Sequence, residues 1–297
     1  MKPTTFLVAC TALALAVAGC GSAGSVSGAG GEALRVVVGF YPLQFLAERI
    51  GGDGTKVSSL AQPGAEPHDL ELTPQQIAQV AGADVVLYLG GFQPAVDDAV
   101  AQNAEDSAFD VLGATDVTAE PGENGESGPD PHVWLDPTRY AEIAGAVADR
   151  MAEADPGNAK NYHANGVALG KDLTALDEEF RTGLEDCDRA EIVTTHDAFG
   201  YLAGRYDLEQ VAIAGLSPDD EPSPQTLDEV RQFAEDHGVT TIFYEAAVTP
   251  EYAETVAEQV GADTAVLSPV EVVDDGEDYL SVMRSNLATL QDALGCG

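Results

Sequence analysis

The segment that organises this chain reads Asp130-Pro131-His132-Val133-Trp134-Leu135-Asp136-Pro137. It holds the single tryptophan and one of the five histidines. Its prolines fix their own φ angles and favour extended backbone at the residue before them. A histidine on such a stiff loop, beside a large apolar ring, can present one imidazole nitrogen to a ligand. Taken alone, His132 is equally typical of an ordinary loop histidine, so its interpretation depends on the rest of the chain.

The composition describes a globular chain with an unusual charge. Hydrophobic residues make up 44% of the 297 residues, which is ordinary for a folded protein. The length is enough for two domains with cores of their own or for one large domain. The 51 acidic and 13 basic residues give a formal net charge of −38. Such a surface repels nucleic acid phosphates and attracts cations, so we expect no nucleic acid partner.

The first residues have the pattern of an export signal. A positive charge precedes an apolar run over residues 6–18, which is too short to span a membrane. The run ends in Val17-Ala18-Gly19-Cys20, which is typical of bacterial lipoprotein signals. We therefore expect a signal peptide over residues 1–19, lipid attachment to Cys20, and a flexible tether over residues 20–33. The mature protein would lie outside the cytoplasm, held at the cell membrane through its lipid anchor.

The four cysteines fit the same compartment. Cys10 lies in the expected signal peptide and Cys20 takes the lipid, which leaves Cys187 and Cys296. In an oxidising compartment these two most simply form one disulfide.

Most of the remaining chain alternates between strand and helix patterns. Apolar runs such as residues 34–40, 84–89 and 239–244 are typical of strands buried on both faces. Helices are expected to begin where a capping side chain precedes a proline, at Thr73-Pro74, Ser223-Pro224 and Thr249-Pro250. This alternation predicts an α/β fold with parallel sheets flanked by helices.

Two helical segments interrupt the alternation. Residues 138–153 predict an amphipathic helix. Within the segment 157–186, residues 158–185 contain no proline and predict a second helix of about 40 Å. The position of the second helix predicts that it links an N-terminal lobe (34–156) to a C-terminal lobe (187–297). An ordinary helical hairpin within one domain is the alternative.

Three histidines lie at the ends of expected strands or in the loops that follow them, namely His68, His132 and His196. Proteins of the α/β class bind ligands at the carboxyl ends of parallel strands. Three imidazoles and one oxygen donor suit a tetrahedral zinc site. Consecutive members are more than sixty residues apart, so spacing alone does not establish such a site. For His163, within the long helix, and His237, at a helix end, we expect solvated or capping roles.

Four segments resemble the zinc solute-binding proteins of bacterial ABC importers, the family of cluster A-I metal receptors. They are GAEPHDLELTP (64–74), DPHVWLDP (130–137), THDAFGYLA (195–203) and DYLSVMRSNLATL (278–290). The resemblance covers nearly all of the chain after the tether. It implies two α/β lobes joined by one long rigid helix, with the metal between the lobes and His68, His132 and His196 as ligands. Relatives that prefer manganese or iron commonly carry Glu at the third position, so His196 favours zinc.

The resemblance leaves the fourth ligand open. Many members carry Asp where this chain has Ser268, whereas others carry Glu three residues later, which matches Glu271. We therefore expect Glu271 as the fourth ligand, with water or another carboxylate, Glu245 first, as the alternative. Relatives specific for zinc often have a histidine-rich loop before the second ligand, but residues 117–131 contain no histidine.

Acidic residues surround the expected ligands. In the loop over 117–131, cation collection would rest on carboxylates alone, and a plain solvated linker is the favoured interpretation; its acidic residues are Glu120, Glu123, Glu126 and Asp130. A ligating imidazole usually donates its other N–H to a carboxylate or carbonyl. The candidates for this role are Glu66, Asp130, Asp197 and Glu245, with a solvent-facing carboxylate as the alternative for the first three.

The sequence thus predicts a monomeric, lipid-anchored receptor that binds Zn²⁺ as its cargo outside the membrane and delivers it to the permease of an ABC importer. A manganese or iron receptor and a metal-binding adhesin of the same fold are the alternatives. A secreted zinc hydrolase is a further one, but the chain contains no HExxH motif to supply a general base. We therefore expect no enzymatic activity.

Overall fold

Two four-stranded sheets carry the fold of the computed structural model, which describes residues 32–113, 130–218, 220–246 and 250–297. All strand pairs in both sheets are parallel. The two sheets share one strand order, in which the first strand of each lies between the second and the third. The α/β class with parallel sheets is confirmed.

The N-terminal sheet is built from four short strands and the helices that connect them. Its strands are β1 (Leu34–Val38), β2 (Thr55–Ser59), β3 (Val85–Tyr88) and β4 (Ala108–Asp110). Its helices are α1 (Tyr41–Gly51), α2 (Pro74–Ala81) and α3 (Pro94–Asn103). Thr73 caps α2 as predicted, because its hydroxyl accepts the Gln76 N–H and the Gln76 side chain accepts the Thr73 N–H.

Two long helices follow, α4 (Pro137–Ala154) and α5 (Ala159–Gly183). Asp136 begins α4 by accepting the backbone N–H groups of Thr138 and Arg139. The 25 residues of α5 span about 37 Å. It corresponds to the helix expected over residues 157–186, and it packs on α4 and α1.

The C-terminal sheet repeats the pattern of the first. Its strands are β5 (Glu191–Thr194), β6 (Glu209–Ala212), β7 (Thr241–Tyr244) and β8 (Asp263–Val266). Its helices are α6 (Gly200–Arg205), α7 (Pro224–His237), α8 (Glu251–Val260) and α9 (Tyr279–Leu294). Ser223 caps α7 as predicted. Helix α8 follows Pro250, and Thr249 lies outside the described residues.

One large apolar cluster includes side chains from α4, α5 and both sheets. Its fully buried aromatic side chains are Phe40, Trp134, Tyr140, Tyr162, Phe180, Phe199, Phe243 and Tyr279. Smaller apolar clusters lie under α2 and α3 and under α7 and α8. The central helices therefore belong to the core and are not an exposed connection.

Cys187 and Cys296 form the expected disulfide, which joins the segment after α5 to the segment after α9. The expected signal peptide, Cys20 and most of the tether lie outside the described residues, as does the acidic loop with Glu120, Glu123 and Glu126. In the part of the chain that the structure describes, no helix is long and apolar enough to cross a membrane.

Candidate metal centre

The loops after the strands bring four side chains together at one point. His68 lies in the loop between β2 and α2, and His132 lies just before a single 3₁₀ turn that leads into α4. His196 follows β5 by two residues, and Glu271 lies in the loop between β8 and α9. Because these loops all leave the carboxyl ends of parallel strands, four residues that are far apart in sequence share one site.

The donor atoms of these four residues are spaced for a small cation. One donor atom from each of them lies within 4.8 Å of all the others. A glutamate oxygen, Glu271 Oε1, is 3.2 Å from His68 Nε2 and 3.4 Å from His132 Nε2. The His132 and His196 Nε2 atoms are 3.4 Å apart. Neighbouring ligand atoms in a tetrahedral zinc shell, with bonds of about 2.0–2.1 Å, are about 3.3 Å apart.

Two further carboxylates hold two of the imidazoles through the ring nitrogens that point away from the centre of the site. The Nδ1–H of His132 donates to Asp130 at 2.7 Å, and the Nδ1–H of His196 donates to Glu245. Both rings therefore turn Nε2 toward the centre of the site. Such partners fix the tautomer and the orientation of a ligating histidine and increase its basicity.

The other two expected partners have different positions. Glu66 accepts the backbone N–H of His68 with both oxygens and lies 3.8 Å from its Nε2. Asp197 neighbours His196 in sequence, but Glu245 accepts the Nδ1–H of His196. Glu245 follows β7, which pairs with β5 in the sheet, so the sheet brings together residues that are 49 positions apart.

The electrostatics of the site centre on a buried ion pair. Burial lowers the pKa of His132, but hydrogen bonds to Asp130 and Glu271 outweigh it and raise that pKa to about 10. Burial raises the pKa of Glu271, but His132 and His68 outweigh it and hold that pKa well below its usual range. Burial raises the pKa of Glu66. A protonated His132 thus faces an ionised Glu271, and a bound cation would take the place of the His132 proton.

Aromatic rings close the site on the side of the N-terminal lobe. His68 meets the Phe92 ring edge-on with centroids 4.6 Å apart, and Trp134 lies 5.2 Å from the His132 ring. His132 and His196 are fully buried, and only 10% of the His68 side chain is exposed. Excluding water in this way strengthens the interaction between a cation and its ligands.

One side of the site is open to a cavity of about 420 Å³. Its lining includes Glu66, Glu245 and Glu271, together with Ser268 and Asn286. Ser268, where many related proteins were expected to carry an Asp ligand, accepts the Val270 N–H through its hydroxyl. The prediction did not include Asn286, although the residue lies within the segment DYLSVMRSNLATL that carries the resemblance.

Residues 36–293 match the model of the ZnuA family, described as zinc-uptake complex component A, periplasmic. The chain belongs to the ZnuA family. The resemblance seen in the sequence is therefore confirmed, and so is the two-lobed α/β fold.

Two relatives place the chain within the ZnuA family. It is 33% identical over 300 residues to the high-affinity zinc uptake system protein ZnuA of Bacillus subtilis, covering 94% of each chain. It is 32% identical to the zinc-binding lipoprotein AdcA of Streptococcus pneumoniae, covering 87% of this chain and 55% of AdcA. The chain thus spans about half the length of AdcA.

Solved structures of two relatives superpose on it. The Zn(II)-bound ZnuA-like domain of S. pneumoniae AdcA is 31% identical, with a TM-score of 0.76, and the match covers 88% of this chain and 99% of the domain. The laminin-binding protein Lmb of Streptococcus agalactiae is also 31% identical, with a TM-score of 0.80 and the same two coverages. Lmb is described as a bifunctional protein with adhesin and metal transporting activity.

Proposed function

We propose that this chain is an extracytoplasmic receptor that binds one Zn²⁺ through His68, His132, His196 and Glu271 and delivers it to the permease of an ABC importer. The observation that carries the proposal is the convergence of these four donors, at the spacing of a tetrahedral zinc shell. Membership of a family described by zinc uptake supports it independently.

The donor set supports zinc as the cargo. Imidazole nitrogens suit zinc, whereas manganese and magnesium prefer sites built of carboxylate, carbonyl and water oxygens. Three of the four donors here are imidazole nitrogens, and two of those rings are held by carboxylates. The solved AdcA domain that superposes on this chain contains Zn(II).

The same donor set argues for a receptor and against a hydrolase. A catalytic zinc keeps a coordination position for water or substrate beside three protein ligands. Glu271 supplies a fourth protein ligand here, and its side chain is buried. A site filled by protein ligands stores a metal ion and leaves no position for a reacting water.

The division of the ligands between the two halves of the chain supports delivery. His68 and His132 come from the N-terminal half, and His196 and Glu271 come from the C-terminal half. Any movement that separates the halves removes ligands in pairs, and so releases the ion. We assign residues 34–156 and 187–297 to the two lobes and residues 157–186 to the linking helix.

The lipid anchor belongs to the same proposal. Residues 1–19 act as the signal peptide, Cys20 carries the lipid, and residues 20–33 tether a monomeric receptor to the cell membrane. The name of the AdcA relative includes the word lipoprotein, which supports this assignment. Replacing Cys20 by Ala should release the protein from the membrane fraction into the soluble fraction. If that variant stayed in the membrane fraction, the lipid anchor would be contradicted, but the assignment of the metal site would not.

Metal analysis of the purified protein tests the metal-binding part of the proposal. We expect one zinc per chain by elemental analysis, and much tighter binding of zinc than of manganese in chelator competition. His132→Ala should lose most of the zinc affinity, whereas His163→Ala should keep it, because His163 lies on exposed α5 surface beside Asp149. Equal affinities for the two metals, or normal binding by His132→Ala, would contradict the assigned ligands.

A further inference from the structure

The residue before Glu271 has an unusual backbone conformation. Val270 has a φ of 62° and is fully buried. A β-branched residue in the left-handed region clashes with its own backbone, so the conformation is strained. Such strain persists only where the surrounding structure holds the segment in place. The chain direction at Val270 sets where the Glu271 carboxylate points.

Side chains bind the backbone groups of Ser268 and Pro269 and the N–H of Val270 on the approach to this turn. Asn286 accepts the Ser268 N–H at 2.9 Å and donates to the Ser268 carbonyl at 2.7 Å. The indole N–H of Trp134 donates to the Pro269 carbonyl at 2.7 Å. The Val270 N–H donates to the Ser268 hydroxyl at 3.0 Å. The turn is thus fixed from α9 on one side and from the His132 segment on the other.

Asn286 is the unusual member of this set. It lies within α9 and is 3% exposed. Eight residues of that helix are buried, and apart from Asn286 and the first residue, Tyr279, all of them are apolar. An amide at a buried position lowers stability unless it is hydrogen-bonded. Both of its polar atoms bond to the backbone of Ser268, and its amide nitrogen also lies 4.0 Å from the Met283 sulfur. The position is therefore suited to holding the loop.

We propose that Asn286 is a positioning residue that, through Ser268, holds the left-handed turn at Val270 and so keeps the Glu271 carboxylate at the metal site. This inference rests on the proposed function, because it takes Glu271 as a zinc ligand. Without the amide, the two polar groups of the Ser268 backbone lose their partners and the strained turn relaxes. The carboxylate then moves away from the three imidazoles while the histidines stay in place.

A double-mutant cycle with Glu271 tests this coupling. In the otherwise wild-type protein, Asn286→Ala should weaken zinc binding by about 10-fold to 100-fold, the range found when partners of metal ligands are removed. In the Glu271→Ala background the same change should weaken it by less than about twofold, because the ligand through which Asn286 acts is gone. Zinc affinity is measured by chelator competition on the full mature chain.

A second variant covers the case in which Asn286→Ala does not fold. Ser268→Ala removes only the acceptor of the Val270 N–H at a half-buried position. It should weaken zinc binding by about threefold to tenfold, as expected for one hydrogen bond, and this loss too should vanish in the Glu271→Ala background. Gln291→Ala is the matched control, because Gln291 bonds α9 to the Gly183 carbonyl and does not touch the loop. It should leave zinc affinity unchanged.

The outcomes separate this inference from the proposed function. Suppose that the wild type binds zinc but that Asn286→Ala or Ser268→Ala weakens binding equally with and without Glu271. Asn286 then acts through general stability, and the inference is wrong. If Glu271→Ala binds zinc like the wild type, the fourth ligand is wrong and the inference falls with it. If the wild type does not bind zinc, the proposed function itself fails.

Discussion

His132 combines full burial, a carboxylate hydrogen-bond partner and an orientation toward the proposed metal position. Its ring is fully buried, donates from Nδ1 to Asp130 and turns Nε2 toward Glu271. Asp130 also accepts the backbone N–H of His132 at 2.9 Å, so one carboxylate fixes both the chain and the ring. The orientation of this imidazole is therefore set before any metal binds.

Removing the Asp130 charge tests that role. Asp130→Asn should weaken zinc binding by about 10-fold to 100-fold, because the imidazole loses a carboxylate partner and becomes less basic. Asp149→Asn is the matched control, since Asp149 pairs with His163 on exposed surface. Isothermal titration calorimetry in competition with a chelator measures both. Equal affinities for the two variants would contradict the role of Asp130.

The raised pKa of His132 predicts a coupling between zinc and protons. The metal-free site keeps a proton on His132 up to a pH of about 10, whereas an unperturbed histidine loses it near 6.5. Zinc needs the neutral ring, so binding releases this proton at every pH below that value. Zinc affinity should therefore rise about tenfold per pH unit between 7 and 9. Calorimetry in two buffers of different ionisation enthalpy counts the protons, and a pH-independent affinity over that range would contradict the ion pair.

The residues of the site differ in how far the sequence could predict them. His68, His132, His196 and Glu271 lie in loops after strands and match a family pattern, so their convergence could be expected. The partner of His196 could not be read from proximity in sequence, because Glu245 reaches it through the pairing of β5 with β7. The strained turn at Val270 depends on hydrogen bonds from distant side chains, and no local pattern reports it.

At the scale of elements, the packing of α5 on α4 makes two glycines of one helix behave oppositely. A Cβ on Gly166 would lie 2.8 Å from the Ala148 Cβ, whereas a Cβ on Gly170 would meet nothing within 4 Å. Gly166→Ala should therefore destabilise the protein by about 1–3 kcal/mol through overpacking. Gly170→Ala should stabilise it by about 0.5–1 kcal/mol, because alanine favours the helix.

Urea unfolding of the metal-free protein measures both changes. The two variants share the helix, the substitution and the effect on the unfolded chain, so each is the control for the other. Stabilisation by both would show that α4 and α5 are not in close contact at Gly166. Zinc affinity should be unchanged in both, since neither glycine contacts the ligand loops.

The elements themselves were largely predictable. Capping patterns at Thr73 and Ser223 placed two helix starts correctly, because a cap is a local interaction. Helix α3 was not predicted. Strand β4 was not predicted either, since the three residues Ala108–Asp110 are too few to show an apolar period. Its strand conformation comes from pairing with β3.

At the scale of the whole molecule, two of the proposed ligands come from each half of the chain. Zinc that binds this folded arrangement and not the unfolded chain stabilises the protein against unfolding. Zinc at a thousandfold over its dissociation constant adds about 4 kcal/mol, which corresponds to roughly 8–16 °C in Tm for a domain of this size. Differential scanning calorimetry with and without a chelator measures the shift. A melting curve that zinc does not move would contradict a metal site between the halves.

The charge of the molecule favours capture but does not define the site. With 51 acidic residues, the surface attracts any cation, and salt screens that attraction. Selectivity must come from the buried histidines, because the exposed carboxylates do not distinguish zinc from manganese. Zinc bound at surface carboxylates alone would have oxygen ligands only.

The coordination of the bound ion therefore tests the central claim most directly. Zinc K-edge X-ray absorption of the loaded protein reports the number, distance and type of ligands. We expect four nitrogen or oxygen ligands at about 2.0–2.1 Å, with the outer scattering of three imidazole rings, and the loss of one ring in His132→Ala. An oxygen-only shell, or an unchanged imidazole signal in that variant, would contradict it.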